Sequence, residues 1–170
     1  MRLWEAPEAK DLGALVRFHG GLYKKEYRYD RRFESYVAKG LADMVLRYDS
    51  ARDRLWLEKS GGHIIGSVAI VHRSRTSAQL RWFLVAPAFR WKGLGKRLMG
   101  AALRFARSAG YRTVFLWTTS ELDAARHVYE GAGFRRTARR THGVWGRKNI
   151  TEERYQLKLR QATASASGTR

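Results

Sequence analysis

Residues 80–98 read LRWFLVAPAFRWKGLGKRL, and no other segment limits the fold as much. "LRWFLV" is apolar and aromatic-rich and suits a buried strand. Pro87 stops it, because proline has no N–H to give to a sheet ladder. From Leu94, the residues Leu98, Ala101, Ala102 and Phe105 recur at helical spacing, and Gly110 closes that helix. A helix start carries partial positive charge and free N–H groups, and acidic residues are usual there. Here Arg90, Lys92, Lys96 and Arg97 stand instead, with no carboxylate between positions 90 and 97. That charge is wrong for the helix dipole alone and right for a bound anion. Gly93 and Gly95 remove side chains where a phosphate must approach the backbone. Glycines at a helix start also serve plain turn geometry. Two phosphate motifs fail: a Walker loop needs glycine where Arg90 stands, and a dinucleotide fingerprint begun at Gly93 needs glycine at Leu98.

The rest of the chain alternates between periods. "MRLWEA" suits a first strand. Leu12, Leu15, Val16 and Leu22 share a helical face after Asp11, and Phe33, Val37, Leu41, Met44 and Val45 share another after Asp30, a reasonable N-cap. "RLWLEKSGGHIIGSVAIVHRS" reads as a hairpin turning at SGG, with "SAQLRWFLV" beside it. "RTVFLWTT" is a buried strand, "ELDAARHVYEGAG" a short helix, and "ERYQLKL" a last strand. This order predicts an α/β or α+β domain with a mixed sheet over residues 1–160. The small polar residues 161–170 predict a disordered tail.

Composition narrows the chemistry. Cysteine is absent, which excludes disulfides, thiolate metal sites and a cysteine nucleophile. Its absence suits a reducing compartment. No charged-then-apolar leader opens the sequence and no apolar run nears the roughly 20 residues that span a bilayer. The expected location is cytoplasmic, without a membrane partner. His19, His63, His72, His127 and His142 show no metal spacing, and no serine sits in a GxSxG elbow, so neither metal catalysis nor a hydrolase triad is expected. Lys and Arg total 34 against 15 Asp and Glu, a net charge of +19. Such a surface attracts polyanions. The run "RRTARRTHGVWGRKN" suits a nucleic-acid footprint and, equally, a solvated edge strand that resists aggregation.

"RWKGLG" with "FLVAP" before it and "AARHVYEGAGF" after it resembles the GNAT superfamily of acyl-CoA-dependent N-acetyltransferases. The ensemble also looks like acetyltransferase domains fused to MarR-type regulators. The resemblance implies a mixed, mostly antiparallel central sheet flanked by about four helices. It implies acetyl-CoA as co-substrate, with the pantetheine arm along the backbone of Phe83, Leu84 and Val85. It implies a diphosphate wrapped by Arg90, Trp91, Lys92, Gly93, Leu94, Gly95 and Lys96. Trp91 departs from the glycine or basic residue common there. The implied reaction is direct attack of a primary amine on the thioester, with Tyr129 as general acid to the thiolate.

The general base is open. Strands "QLRWFLV" and "VFLWTT" hold no carboxylate, so Glu26 is the candidate base, with Asp30 nearby and Glu121 more suited to starting a helix. An asparagine common near Thr119 in relatives is replaced by Thr119 and Ser120. Tyr23, Tyr27 and Tyr29 suit an amine pocket by cation–π contact or, equally, helix packing. The acceptor is a small-molecule or peptide amine, and a homodimer using the segment around Trp145 fits the family. The alternative function is a non-catalytic module on the same fold, sensing acyl-CoA or binding nucleic acid.

Overall fold

The structure is a computed structural model that describes residues 2–4 and 9–160. The expected tail lies outside the described residues, as does part of "MRLWEA". The elements are β1 (Arg2–Trp4), α1 (Ala9–Tyr27), α2 (Arg31–Leu46), β2 (Arg54–Ser60), β3 (His63–His72), β4 (Ser77–Val85), α3 (Leu94–Ser108), β5 (Thr113–Thr119), α4 (Asp123–Gly131), β6 (Arg135–Val144) and β7 (Arg147–Lys158). One seven-stranded sheet runs β1-β2-β3-β4-β5-β7-β6, antiparallel except between β4 and β5. The mixed, mostly antiparallel sheet and its four helices match the expected fold.

Strand alternation sorts the core into two layers. On β3, Val68 and Ile70 pack towards α3, while Ala69 and Val71 pack towards α1 and α2. Asp30 caps α2 as predicted, its side chain accepting from the Arg32 N–H. The glycine-rich entry to α3 behaves as expected of a turn: Gly93 is the N-cap at φ +83, with no side-chain cap on the helix. A turn of 3-10 helix at Pro87–Phe89 makes the exit from β4.

The tip of the β6–β7 hairpin was not legible in advance. Trp145 and Gly146 both have positive φ, and Val144 pairs with Arg147, as in a two-residue hairpin turn. The tip docks on the α2 N-terminus, where the Asp30 N–H donates to the Trp145 carbonyl at 3.0 Å. Trp145 stacks against Tyr29, Phe33 and Tyr36 at 5.0–5.5 Å. The ring that the sequence offers to a dimer is thus engaged inside its own chain. The basic run forms edge strand β6. Its Arg136 reaches Glu153 at 2.8 Å and its Arg140 reaches Glu152 at 2.8 Å, so buried carboxylates on β7 offset much of its charge.

Gly66 of β3 seats the start of α3. It faces Val85 across the ladder, and a Cβ there would lie 2.9 Å from Leu98 Cδ1 and 3.1 Å from Leu94 Cδ2. Gly66→Val is expected to destabilise the protein by about 1–3 kcal/mol through overpacking, measured by urea denaturation.

Candidate functional site

The site opens where two neighbouring strands part. β4 and β5 pair only from Ser77–Gln79 to Thr113–Phe115, yet β4 continues to Val85 and β5 to Thr119. A bulge drives the parting: Ser67 pairs with Leu84 but Ala69 with Arg81, which leaves an extra residue on β4. Trp82 sits in the bulge at φ +49, and its carbonyl accepts from the buried Ser67 hydroxyl at 2.6 Å. The bulge also flips the alternation. Leu80 packs in the α3 layer, whereas Trp82 packs in the α1–α2 layer.

Two cavities flank the parted strands. The larger, about 340 Å³, is lined by the end of β4, the approach to α3 and the face of α4. Gly93 and Gly95 lie on its wall, and a Cβ at Gly93 would meet only open space. The smaller, about 90 Å³, lies between α1–α2 and strands β4, β5 and β7, and includes Tyr129, Arg81, Trp117 and Glu152. Tyr23, Phe83 and Leu122 line both. Three buried polar atoms without a partner border the smaller cavity: His19 Nε2, Trp82 Nε1 and Thr118 Oγ1. Buried polar groups are normally satisfied, so a cavity bordered by several that are not is suited to a polar ligand or water.

The sequence model described as "Acetyltransferase (GNAT) family" matches residues 22–134. The chain belongs to the GNAT acetyltransferase family. It is 31% identical to rat N-acetyltransferase 8F1 over 131 residues, 74% of this chain and 57% of that protein. It is 28% identical to rat N-acetylaspartate synthetase over 158 residues, 83% of this chain and 53% of that protein. The chain thus matches just over half the length of these curated relatives. A putative acetyltransferase from Salmonella typhimurium, solved with its cofactor acetyl-CoA, has a TM-score of 0.70 at 17% identity, covering 99% of this chain and all of that one. A GNAT acetyltransferase from Staphylococcus aureus Mu50 has a TM-score of 0.73 at 17% identity, covering 94% of this chain and 99% of that one.

The residues expected to hold acetyl-CoA divide as follows. Phe83, Leu84, Val85, Arg90, Trp91, Gly93, Gly95 and Lys96 line the larger cavity. Lys92 and Leu94 do not: Lys92 Nζ lies 5.8 Å from the Phe89 ring centre, and Leu94 is a core residue. Trp91 is 76% exposed on the rim, beside the His127 ring. The uncapped helix start and the space over Gly93 fit a diphosphate. Tyr129 is buried, its ring 5.4 Å from Phe83 and 6.2 Å from Tyr155. Burial pushes its hydroxyl well above the ordinary tyrosine range, and the smaller effect of the nearby Thr118 side chain opposes it.

The carboxylates are arranged unlike the sequence expectation. Glu26 is gripped by Arg90 through two hydrogen bonds of 3.0 and 2.8 Å, and Arg90 also donates to the Val85 carbonyl at 3.0 Å. The candidate base and the candidate phosphate ligand therefore hold each other. Asp30 is committed to Arg32. Glu121 does not cap α4, whose N-cap is Leu122; it accepts from Arg147 and from Tyr29 instead. The Thr119 hydroxyl lies 3.2 Å from that of Tyr29 and can donate to it, and Tyr23, Tyr27 and Tyr29 pack on one another. Sequence reasoning missed Glu152 because it searched the strands corresponding to β4 and β5. Glu152 stands on the neighbouring β7, where it pairs with Thr119 of β5, is 8% exposed, and lines the smaller cavity. One of its oxygens accepts from Arg140 at 2.9 Å and lies 2.5 Å from His142 Nε2.

His19 donates from Nδ1 to the Leu15 carbonyl at 3.1 Å, which leaves Nε2 as the bare acceptor of a neutral ring. Burial lowers its pKa to about 4, against smaller opposing effects of the Leu15 and Trp82 backbones. Between about pH 4 and 6.5 the unfolded state binds more protons at this site than the folded one, so stability is lost as pH falls through that window. The loss at pH 4 is expected to be up to roughly 3 kcal/mol. Urea denaturation across this range should show a shallower pH slope for His19→Leu than for the unaltered protein.

Proposed function

We propose that this chain transfers an acetyl group from acetyl-CoA to the amine of a small acceptor. The observation that carries the proposal is the meeting of the two cavities at Tyr23, Phe83 and Leu122, with Tyr129 buried on the acceptor side. In this reading acetyl-CoA occupies the larger cavity and supplies the thioester. The backbone of Phe83–Val85 is free of β5 and can pair with an extended ligand arm. The start of α3, with Lys96 and the glycines, takes the diphosphate. Arg90 joins them only by exchanging Glu26 for phosphate, and its planar fork suits either partner.

The bond changes are simple. The amine nitrogen bonds to the thioester carbonyl carbon, the C–S bond breaks, the amine's proton passes to water or a carboxylate, and the departing sulfur takes one from Tyr129. Tyr129 stays protonated at all ordinary pH values because burial raises its pKa, so its proton is available to the departing sulfur. Glu152 is better placed than Glu26 to receive the amine, because it lines the acceptor cavity. Glu26 becomes free to accept a proton only when Arg90 releases it.

Thermal unfolding with acetyl-CoA tests the proposal, with ATP and heparin as anion controls. Ligand at 100 times its dissociation constant adds ~2.7 kcal/mol, which at this chain length is a shift of roughly 5–10 °C. That shift is expected with acetyl-CoA, absent with ATP at matched ionic strength, and abolished by Gly95→Glu. A Cβ at Gly95 would already lie 3.3 Å from the Phe83 ring. Equal shifts from all three anions would favour a polyanion-binding module instead. Tyr129→Phe is expected to lower kcat by about a hundredfold while leaving acetyl-CoA affinity unchanged, measured by thiol release and by the same thermal titration.

A further inference from the structure

Arg81 stands apart from the other charged groups around the site. It lines the smaller cavity, and among the described residues no carboxylate or other acceptor takes a hydrogen bond from it. Asp43, a nearby carboxylate, is bound to Lys39 at 2.8 Å. Arg81 is held by its faces. Its guanidinium carbon lies 4.5 Å from the Trp82 ring centre and 5.5 Å from that of Tyr36. Stacking of this kind fixes a guanidinium but leaves its in-plane N–H groups unused. Its position is built in twice. The bulge turns Arg81 and Trp82 to the same layer, and Gly40 of α2 leaves room, since a Cβ there would lie 2.8 Å from an Arg81 nitrogen.

The same cavity holds Glu152, which does not pair with Arg81 but with Arg140 and His142. One small space is therefore lined by an unmatched cation and by a carboxylate of opposite sign. Beside them lie the unpartnered Trp82 Nε1, a donor, and His19 Nε2, an acceptor. An amine without a negative group would leave Arg81 unmatched, and a polycation would be repelled by it and by the net charge of +19. A molecule carrying both an amine and a carboxylate matches both ends.

We propose that the acceptor is a small amino acid, its carboxylate bound by the stacked Arg81 and its amine lying on the Glu152 side of the cavity. The proposal rests on the acetyl-transfer reading and narrows its substrate. A planar carboxylate accepts two parallel N–H bonds from a guanidinium edge, and a cavity of about 90 Å³ favours a compact molecule.

The test is steady-state acetylation of free L-amino acids, each paired with its carboxamide, with acetyl-CoA saturating. For at least one pair, the acid is expected to exceed the amide in kcat/KM by on the order of tenfold to a hundredfold, the loss usual for one charge-assisted hydrogen bond. Arg81→Gln should bring that ratio close to one, mainly by raising the acceptor KM, and Arg81→Lys should restore part of it. Both variants should keep the thermal shift with acetyl-CoA, which shows that they fold and bind it. Equal rates on acids and amides, or a preference that survives Arg81→Gln, would overturn the proposal. So would acetyl-CoA binding without acetylation of any amino acid. A missing acetyl-CoA shift in the unaltered protein would instead remove the underlying reading, and this proposal with it.

Discussion

The parting of β4 from β5 is the constraint on which the rest of the site depends. A sheet normally closes its ladder, because unpaired strand groups are costly when buried. Here the ladder stops at Gln79 and Phe115, and the bulge at Trp82 bends β4 away. Ser67 satisfies the Trp82 carbonyl that the bulge displaces. Both cavities border this opening, one on each layer of the fold, and Phe83 touches both. The helices answer to the same opening. α3 begins beside the end of β4, and α4 carries Tyr129 back towards Phe83.

Backbone strain collects around the opening. Four residues other than glycine have positive φ: Arg28, Trp82, Trp91 and Trp145, among the described residues. Such conformations are costly for bulky side chains and persist where surrounding structure fixes them. Trp82 and Trp145 line the smaller cavity and Trp91 the larger, while Arg28 lies in the link between α1 and α2. Three of the four are tryptophans, and at two of them, Trp82 and Trp145, packed aromatic surface compensates locally for the twisted backbone. Trp145 shows how, with its ring against three aromatic residues of the α1–α2 region.

Electrostatics follow from scarcity. With 15 acidic residues against 34 basic ones, most carboxylates near the site are already claimed. Glu26 holds Arg90, Glu121 holds Arg147, and Glu152 and Glu153 restrain the arginines of β6. Each such pair joins two elements distant in sequence and costs the site a free base. Cations left unmatched in a cavity are therefore informative. Lys96 at the start of α3 lines the larger cavity and Arg81 lines the smaller, so each cavity carries its own cation.

The sequence by itself determined the element order, the mixed sheet, the cap at Asp30 and the turn that opens α3. Those depend on local periodicity and on residues with special backbone preferences, such as Pro87, Gly93 and Gly110. It also marked the strand-to-helix segment that carries most of the larger cavity. It left Glu26 and Arg90 as separate candidates, because nothing local says that side chains 64 positions apart will bind each other. Glu152 was hidden in a charged run on a strand beyond those searched, and Arg81 looked like one more arginine in a basic chain. Only the tertiary structure decided where they stand. Strand pairing across β5 and β7 brings Glu152 beside Thr119, and a single extra residue in β4 turns Trp82 to the layer that Arg81 already faces, so that its ring lies against the guanidinium. A bulge changes which face every later side chain occupies, and the pairing that reveals it is made with another strand.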